Sequence, residues 1–596
     1  MKELRAVNFY FLKYKWLFLS GIFFVITSNY FGLLPPQYIQ EGIDILKDNI
    51  QLYQLIGHSE TQAIFRNYLF GQFILFIAIL VIIASLIKGV LMFFMRQTLI
   101  VMSRKIEYDQ KNQIFKQYQT LNTSFYKRNN TGDLMSRISE DVSRVRMYFG
   151  PAIMYSINII ALFVMVIYSM VATNAYLSIF VLLPLPILAF LIYKVSSVIN
   201  TKSEEISTAL SNITSLAQEI FSGIRVVKAF SIDKLTQEEF AASSEVYKQK
   251  NINLAKIEAY FAPLMLLLVG LSTLMVIYIG GIEVQKGNFT VGNIAEFIYY
   301  VNMLTWPVAS LGWAVSLVQR AAASQKRINQ FLDDKNIIQS AQSPIIKDII
   351  KIELKNVSFT YPDTGIDALK NINLQIKKGE KIAIVGRTAS GKSTLAELLC
   401  RTYDVNKGEL LINDENIKNI NLNKYRALLS YTPQDVFLFS DTIENNILFG
   451  NLEADKNKVE HYSKIACVHD DIMHFPKQYS TIIGERGVML SGGQKQRISI
   501  ARCLIKDPEL IILDDCLSAV DANTERQILD NLEDAFEQKT VVFITHRIFA
   551  VMSFDKIIVL DDGQIVEQGT HQTLMDLKGD YYDLYQTQLQ ENEVKN

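Results

Sequence analysis

The chain has 596 residues, room for about three to four domains at roughly 150 residues each. Its 59 lysines and arginines nearly balance 60 aspartates and glutamates, and the net charge of -1 gives no global basic field to draw nucleic acid. Hydrophobic residues make up 49% and mean hydropathy is +0.16, a mean over two unlike parts. Long apolar runs fill the first 320 residues or so, and the remainder alternates short apolar strands with charged helices.

The start, MKELRAVNFYFLKYKW, is basic and leads into apolar sequence. No A-x-A-like cleavage site follows and further hydrophobic segments do, so it reads as an interfacial segment feeding a first anchor. Six segments then have the roughly 20 residues that a helix needs to cross hydrocarbon. They are 16–38, 70–95, 149–171, 174–193, 259–281 and 291–318. Pro184, Pro186, Pro263 and Pro307 fall inside them and are read as kinks or packing sites. Lys88 and Glu296 are ionisable groups at membrane depth, placed near span ends or facing a bundle interior.

Arg96, Arg104, Lys105, Lys111, Lys116, Lys127, Arg128, Arg137, Arg144 and Arg146 crowd the connection between spans two and three. Eight more lysines and arginines lie between four and five, while the third-to-fourth connection is uncharged. The positive-inside rule therefore puts both termini in the cytoplasm. The two basic connections each exceed 50 residues and are poor in Pro and Gly, so they should be helical extensions of the spans. Their tips are expected near Thr131-Gly132-Asp133 and Ser222-Gly223-Ile224, as contacts for the soluble part.

Residues 320–350 read as a helix followed by a polar connector, and the soluble part opens near Lys351. All four cysteines (Cys400, Cys467, Cys503, Cys516) lie beyond it without metal-like spacing, which implies a reduced cytosolic compartment. The apolar strand 382–385 runs into Gly386-Arg387-Thr388-Ala389-Ser390-Gly391-Lys392-Ser393-Thr394 and then a helical pattern. This is a P-loop in its strand-to-helix setting: backbone N–H groups cradle phosphates, Lys392 reaches the β- and γ-phosphates, and Ser393 holds Mg²⁺. The strand 510–513 delivers Asp514, placed to hold Mg²⁺ through water, and Asp515, placed to orient an attacking water. Between them Leu490-Ser491-Gly492-Gly493-Gln494 precedes a helix-forming stretch, a second anion-binding helix entry.

These motifs, behind six spans, resemble ATP-binding cassette exporters over essentially the whole chain. The resemblance implies an α-helical six-span transmembrane domain (1–319), a linker (320–350) and an α/β P-loop nucleotide-binding domain (351–596). Two such domains pack head to tail, so that the P-loop of one and the signature Ser491-Gly492-Gly493-Gln494 of the other sandwich ATP. By the same resemblance Tyr361 stacks on adenine, Gln434 senses Mg²⁺ and the membrane domain, and Gly484-Glu485-Arg486-Gly487 faces the helical tips. Asp521 touches the opposite site, and His546 contacts the γ-phosphate.

Strong hydrolysers of the family carry Glu where this chain has Asp515. Aspartate is one methylene shorter, and water positioning is sensitive to about 1 Å. The chain thus resembles the degenerate-site subunit of heterodimeric exporters, which favours a heterodimer over a homodimer with Asp as a slow base. The expected activity is ATP hydrolysis coupled to export or flipping of amphiphilic small molecules or lipids across the cytoplasmic membrane by alternating access. The alternative is a weakly hydrolysing regulatory subunit or nucleotide-gated membrane protein. No peptidase domain precedes the first span, so leader-peptide processing is not expected.

Overall fold

The computed structural model describes residues 2–55, 71–334, 338, 346–484, 487 and 489–595. The chain forms two compact units, Met1–Gln119 with Gly132–Asp334, and Thr120–Thr131 with Lys335–Asn596. Glu485 and Arg486, the acids and bases of the first outer loop beyond residue 55, and much of the connector lie outside the described residues.

The first unit is helical: α1 (Lys15–Leu55), α2 (Ile74–Thr120), α3 (Ile153–Thr173), α4 (Ala175–Leu182), α5 (Pro184–Ser222), α6 (Asp233–Gln285) and α7 (Val291–Leu332). Among the described residues five helices, not six, are long and apolar enough to cross a membrane: Lys15–Ile50, Gly71–Thr120, Thr131–Thr173, Asp233–Gln285 and Val291–Leu332. The stretch expected at 174–193 is covered by the short α4 and the first turns of α5, with a turn at Leu183 between them. Pro184 follows that turn at the start of α5, where a missing N–H costs least. Pro263 and Pro307 sit inside α6 and α7 without ending them.

Leu162, Val166 and Met170 of α3 pack with Leu177 and Val181 of α4, Val276 of α6, and Phe297, Tyr300, Val301 and Leu304 of α7. Where α1 meets the start of α7, a Cβ on Gly292 would lie 2.3 Å from the Gln40 carbonyl oxygen. That closeness lets the Gly292 N–H (2.8 Å) and the Thr290 hydroxyl (2.6 Å) donate to Asp44. Glu296 is buried and accepts from the Tyr300 hydroxyl at 2.7 Å and the Asn293 amide at 3.3 Å, which satisfies a carboxyl that lipid could not.

The first inner turn falls earlier than Gly132, which lies inside a helix beginning at Thr131. Asn122 makes the difference: its side chain accepts from the Phe125 N–H at 3.1 Å and starts a separate short helix, Thr123–Arg128. The second turn is where glycine puts it, with Gly223 ending α5 and Ser231 in the left-handed region (φ 54°) before α6.

Asp141 is buried at 1% exposure and takes a two-pronged ion pair from Arg327 of α7. Arg327→Ala should leave that carboxylate unpaired and cost about 1–3 kcal/mol, discounted for the half-exposed arginine, whereas Arg327→Lys should cost less. Thermal unfolding of the purified full chain in detergent measures both.

The second unit contains two sheets. An antiparallel sheet orders as β2 (Asp367–Lys377), β1 (Lys351–Thr360), β4 (Lys407–Ile412) and β5 (Glu415–Asn416). A six-stranded sheet orders as β10 (Gln564–Gly569), β9 (Lys556–Asp561), β3 (Lys381–Gly386), β8 (Thr540–Ile544), β7 (Leu510–Asp514) and β6 (Leu429–Thr432). All its neighbours pair in parallel except the β9–β10 edge. Parallel strands need cover on both faces, and alternation along β3 provides it: Ile382 and Ile384 enter one core, Ala383 and Val385 the other.

Candidate functional site at the carboxyl edge of the parallel sheet

Register brings the sequence-predicted groups together. Ile384 pairs with Ile544 and Asp514 with Ile544, so the ends of β3, β7 and β8 lie side by side. The P-loop, Asp514-Asp515 and His546 therefore leave one edge, the ligand edge of parallel α/β sheets.

After β3 the backbone turns through left-handed positions at Ala389 (φ 67°) and Gly391 (φ 101°) into helix α8 (Lys392–Leu399). At Gly391 a Cβ would sit 2.5 Å from the Ala368 carbonyl oxygen, so this turn admits only glycine. Arg387, Thr388 and Ala389 are exposed, while Ser390 and Thr394 are buried. Lys392 is buried and donates to the loop's own carbonyls, to Gly386 at 2.8 Å and Arg387 at 2.6 Å. Burial lowers its ammonium pKa against the pull of Asp515 and Asp514.

Asp514 is 2% exposed. Burial raises its carboxyl, opposed by hydrogen bonds from Ser393 and Tyr431. Asp515 follows in the left-handed region (φ 45°), held by its N–H to the Ile544 carbonyl at 2.8 Å. The Gln434 amide donates to its carboxylate at 3.1 Å. Gln434 thus meets Asp515 rather than Asp514. Ser393, Asp514 and Gln434 offer only hard oxygen donors on the metal side, a set that suits Mg²⁺. The metal would neutralise developing phosphate charge. His546 follows β8, and burial and then Lys392 hold its pKa below the ordinary 6.5.

The signature sits elsewhere in the unit. Ser491 caps helix α9 (Gly492–Leu504) in a reciprocal box with Gln494: the Gln494 N–H donates to the Ser491 hydroxyl at 3.2 Å, and the Ser491 N–H to the Gln494 carbonyl at 3.1 Å. Among the described residues no hydrogen bond or ion pair joins Ser491–Gln494 to Gly386–Thr394. Asp521 caps α10 (Ala522–Ala535), accepting from the Thr524 N–H at 3.0 Å; that bond and its companions depress its carboxyl.

Two contacts were invisible in the motifs. Gln496 ties the signature helix to the loop after Asp515, donating to Ser518 (2.9 Å) and accepting from the Ala519 N–H (2.9 Å). Around Tyr361, whose hydroxyl meets Thr394 (3.0 Å) and Glu397 (3.0 Å) of α8, lies Lys127. Its ammonium is 5.3 Å from the Tyr361 ring centroid, 5.2 Å from that of Tyr403 and 3.5 Å from Glu397. Burial would lower the Lys127 pKa, but the Tyr403 hydroxyl, Glu397 and Tyr361 together raise it. Burial pushes the Tyr361 phenol up to about 12. Sequence separation hid this cluster; the only cue was one cation in a basic stretch.

Residues 17–308 match the family description "ABC transporter transmembrane region", and 369–518 match "ABC transporter". Over 99% of this chain and 97% of the relative, identity is 33% to the multidrug resistance-like ATP-binding protein MdlA of Escherichia coli (strain K12). The chain belongs to the ABC transporter family. It is 32% identical to the ATP-dependent lipid A-core flippase of Syntrophus aciditrophicus (strain SB), over 88% of this chain and 87% of that one. Identity is also 32% to the probable multidrug resistance transporter YheI of Bacillus subtilis (strain 168), over 98% and 97%. The transporter's fold matches that of a bacterial Atm1-family ABC exporter solved with ATP bound, at TM-score 0.78 and 22% identity over 96% and 98% of the two chains.

Lys127→Met should destabilise the second unit by about 0.5–2 kcal/mol through lost ring contacts, with Lys127→Arg close to the parent; calorimetry of the full chain reads this. With its pKa held below 6.5, His546 is more than half neutral at pH 6.5. The share of ATP turnover lost in His546→Ala should therefore pass its half-maximum below pH 6.5, as pH profiles of the two proteins would display.

Proposed function

We propose that this ATP-driven transporter exports or flips amphiphilic small molecules or lipids across the cytoplasmic membrane by alternating access, as one half of a dimer. The reading is supported above all by the split between two phosphate-seeking surfaces within one unit. Lys392, Asp514, Asp515, Gln434 and His546 gather at the carboxyl edge of the sheet, while the capped helix entry at Ser491–Gln494 has no bond to the P-loop among the described residues. One chain then carries half of each of two sites. The relatives' names, multidrug resistance and lipid A-core flippase, support the cargo class.

In this reading the P-loop N–H groups and Lys392 bind the triphosphate, whose oxygens replace the carbonyls that Lys392 now contacts. Ser393, Asp514 and Gln434 hold Mg²⁺, Tyr361 meets adenine, and Asp521 reaches the opposite site. Asp515 takes the proton side of the attacking water, and His546, neutral, donates toward the γ-phosphate. Binding shifts the pair of subunits only because signature contacts form in the closed state alone. The proposed boundaries are 1–319 for six spans, 320–350 for the linker and 351–596 for the nucleotide domain, with both termini in the cytoplasm. Segment 120–131, grouped with the nucleotide-binding unit while its chain neighbours belong to the membrane unit, is, besides the linker, a covalent route by which closure reaches the spans.

The shorter acid at 515 favours a heterodimer in which this chain's own P-loop site hydrolyses slowly and its signature completes the partner's site. It also keeps the regulatory-subunit reading in play. ATP-dependent uptake of a labelled dye or lipid by inside-out vesicles should vanish in Lys392→Ala. The isolated chain should turn ATP over slowly and gain about tenfold or more from Asp515→Glu. Vigorous turnover by the unmodified chain alone would end the degenerate-site reading, and uptake insensitive to Lys392→Ala would end the export reading.

A further inference from the structure

The six apolar stretches contain one basic side chain, Lys88, and one carboxylate, Glu296. Opposite charges in lipid attract strongly, yet these two do not pair. Glu296 is occupied by Tyr300 and Asn293, and among the described residues no carboxylate or other side chain partners the Lys88 ammonium. Lys88 precedes Arg96 by eight residues, about 12 Å along a helix, so its depth is that of hydrocarbon.

The structure provides it with a seat. Lys88 of α2 lies across Gly32 of α1: a Cβ built on Gly32 would be 2.9 Å from the Nζ, 3.1 Å from Cε and 3.4 Å from Cδ. Gly32 is therefore bare where the lysine crosses. One turn away on the same face, Ser28 donates to the Lys88 backbone carbonyl at 3.3 Å. The next residue, Asn29, is buried and donates to the Asn158 side-chain oxygen at 3.0 Å. The Asn158 amide nitrogen itself donates to no described residue. A cation crossing Gly32, a hydroxyl one turn before it and an amide three residues before it thus fall along one stretch of α1, and ionisable groups at membrane depth mark substrate paths.

We propose that Lys88, seated on Gly32 beside Ser28 and Asn29, binds the anionic oxygen group, phosphate or carboxylate, of the transported amphiphile. This deepens the export reading and rests on it. An ammonium on a flexible stem, with no counter-ion among the described residues, suits an oxyanion that arrives and leaves.

The test uses the full chain with its partner subunit in nanodiscs and three fluorophore-labelled probes: dodecanoate, its methyl ester, and phosphatidic acid. Lys88→Met should weaken the anionic probes about tenfold and leave the ester unchanged, and Lys88→Arg should retain most affinity. Gly32→Ala, which displaces the ammonium, should reproduce part of the loss. A larger loss for phosphatidic acid assigns a membrane lipid as the source, and a larger loss for dodecanoate a free amphiphile. No binding of either anion to the parent protein, no change in Lys88→Met, or an equal loss for acid and ester would overturn the proposal. ATP-dependent uptake of a cationic dye by the parent protein and its loss in Lys392→Ala, measured alongside, report on the export reading separately.

Discussion

Parallel pairing of β3, β8 and β7 is the constraint on which the nucleotide-binding unit depends. The strands run in one direction and in fixed register, so three segments distant in sequence must end together. Their faces are covered by two separate apolar cores, so polar groups leave the sheet at the strand ends. A loop with left-handed turns leaves one strand, a buried acid followed by a left-handed Asp515 leaves the next, and a histidine of lowered pKa leaves the third. Chemistry concentrates there because parallel strands end side by side at that edge.

The lysine of the P-loop shows how that edge is tuned. Its ammonium is buried and satisfied by carbonyls of its own loop, a weak substitute for phosphate oxygens. Gln434 and Asp515 are joined in the same provisional way. Gln496 connects the signature helix to the segment after Asp515, so the surface offered to a partner and the end of β7 are parts of one hydrogen-bonded frame.

The membrane unit follows a different rule. Its buried and half-buried carboxylates are paired, as with Asp44 to Thr290 and Gly292, Glu296 to Tyr300, and Asp141 to Arg327. Against that background Lys88, seated on a glycine without a counter-ion among the described residues, stands out as a group held ready for a visitor.

The sequence by itself determined the division into membrane and nucleotide-binding parts, the P-loop, the paired acids, the signature and the family. Each is a local pattern whose chemistry depends on residues a few positions apart. Span ends and turns were legible only where glycine or proline dictated them, at Gly223 but not near Gly132, since Asn122 capped a helix that composition did not announce. In the fourth apolar stretch a turn at Leu183 separates two helices, with Pro184 at the start of the second. Tertiary structure alone decided that Lys127 lies over Tyr361 and Tyr403, that Gln434 reaches Asp515 rather than Asp514, and that Lys88 rests on Gly32. Such contacts join residues up to hundreds of positions apart, and the geometry that closes them is set by strand register and helix packing, which no local pattern encodes.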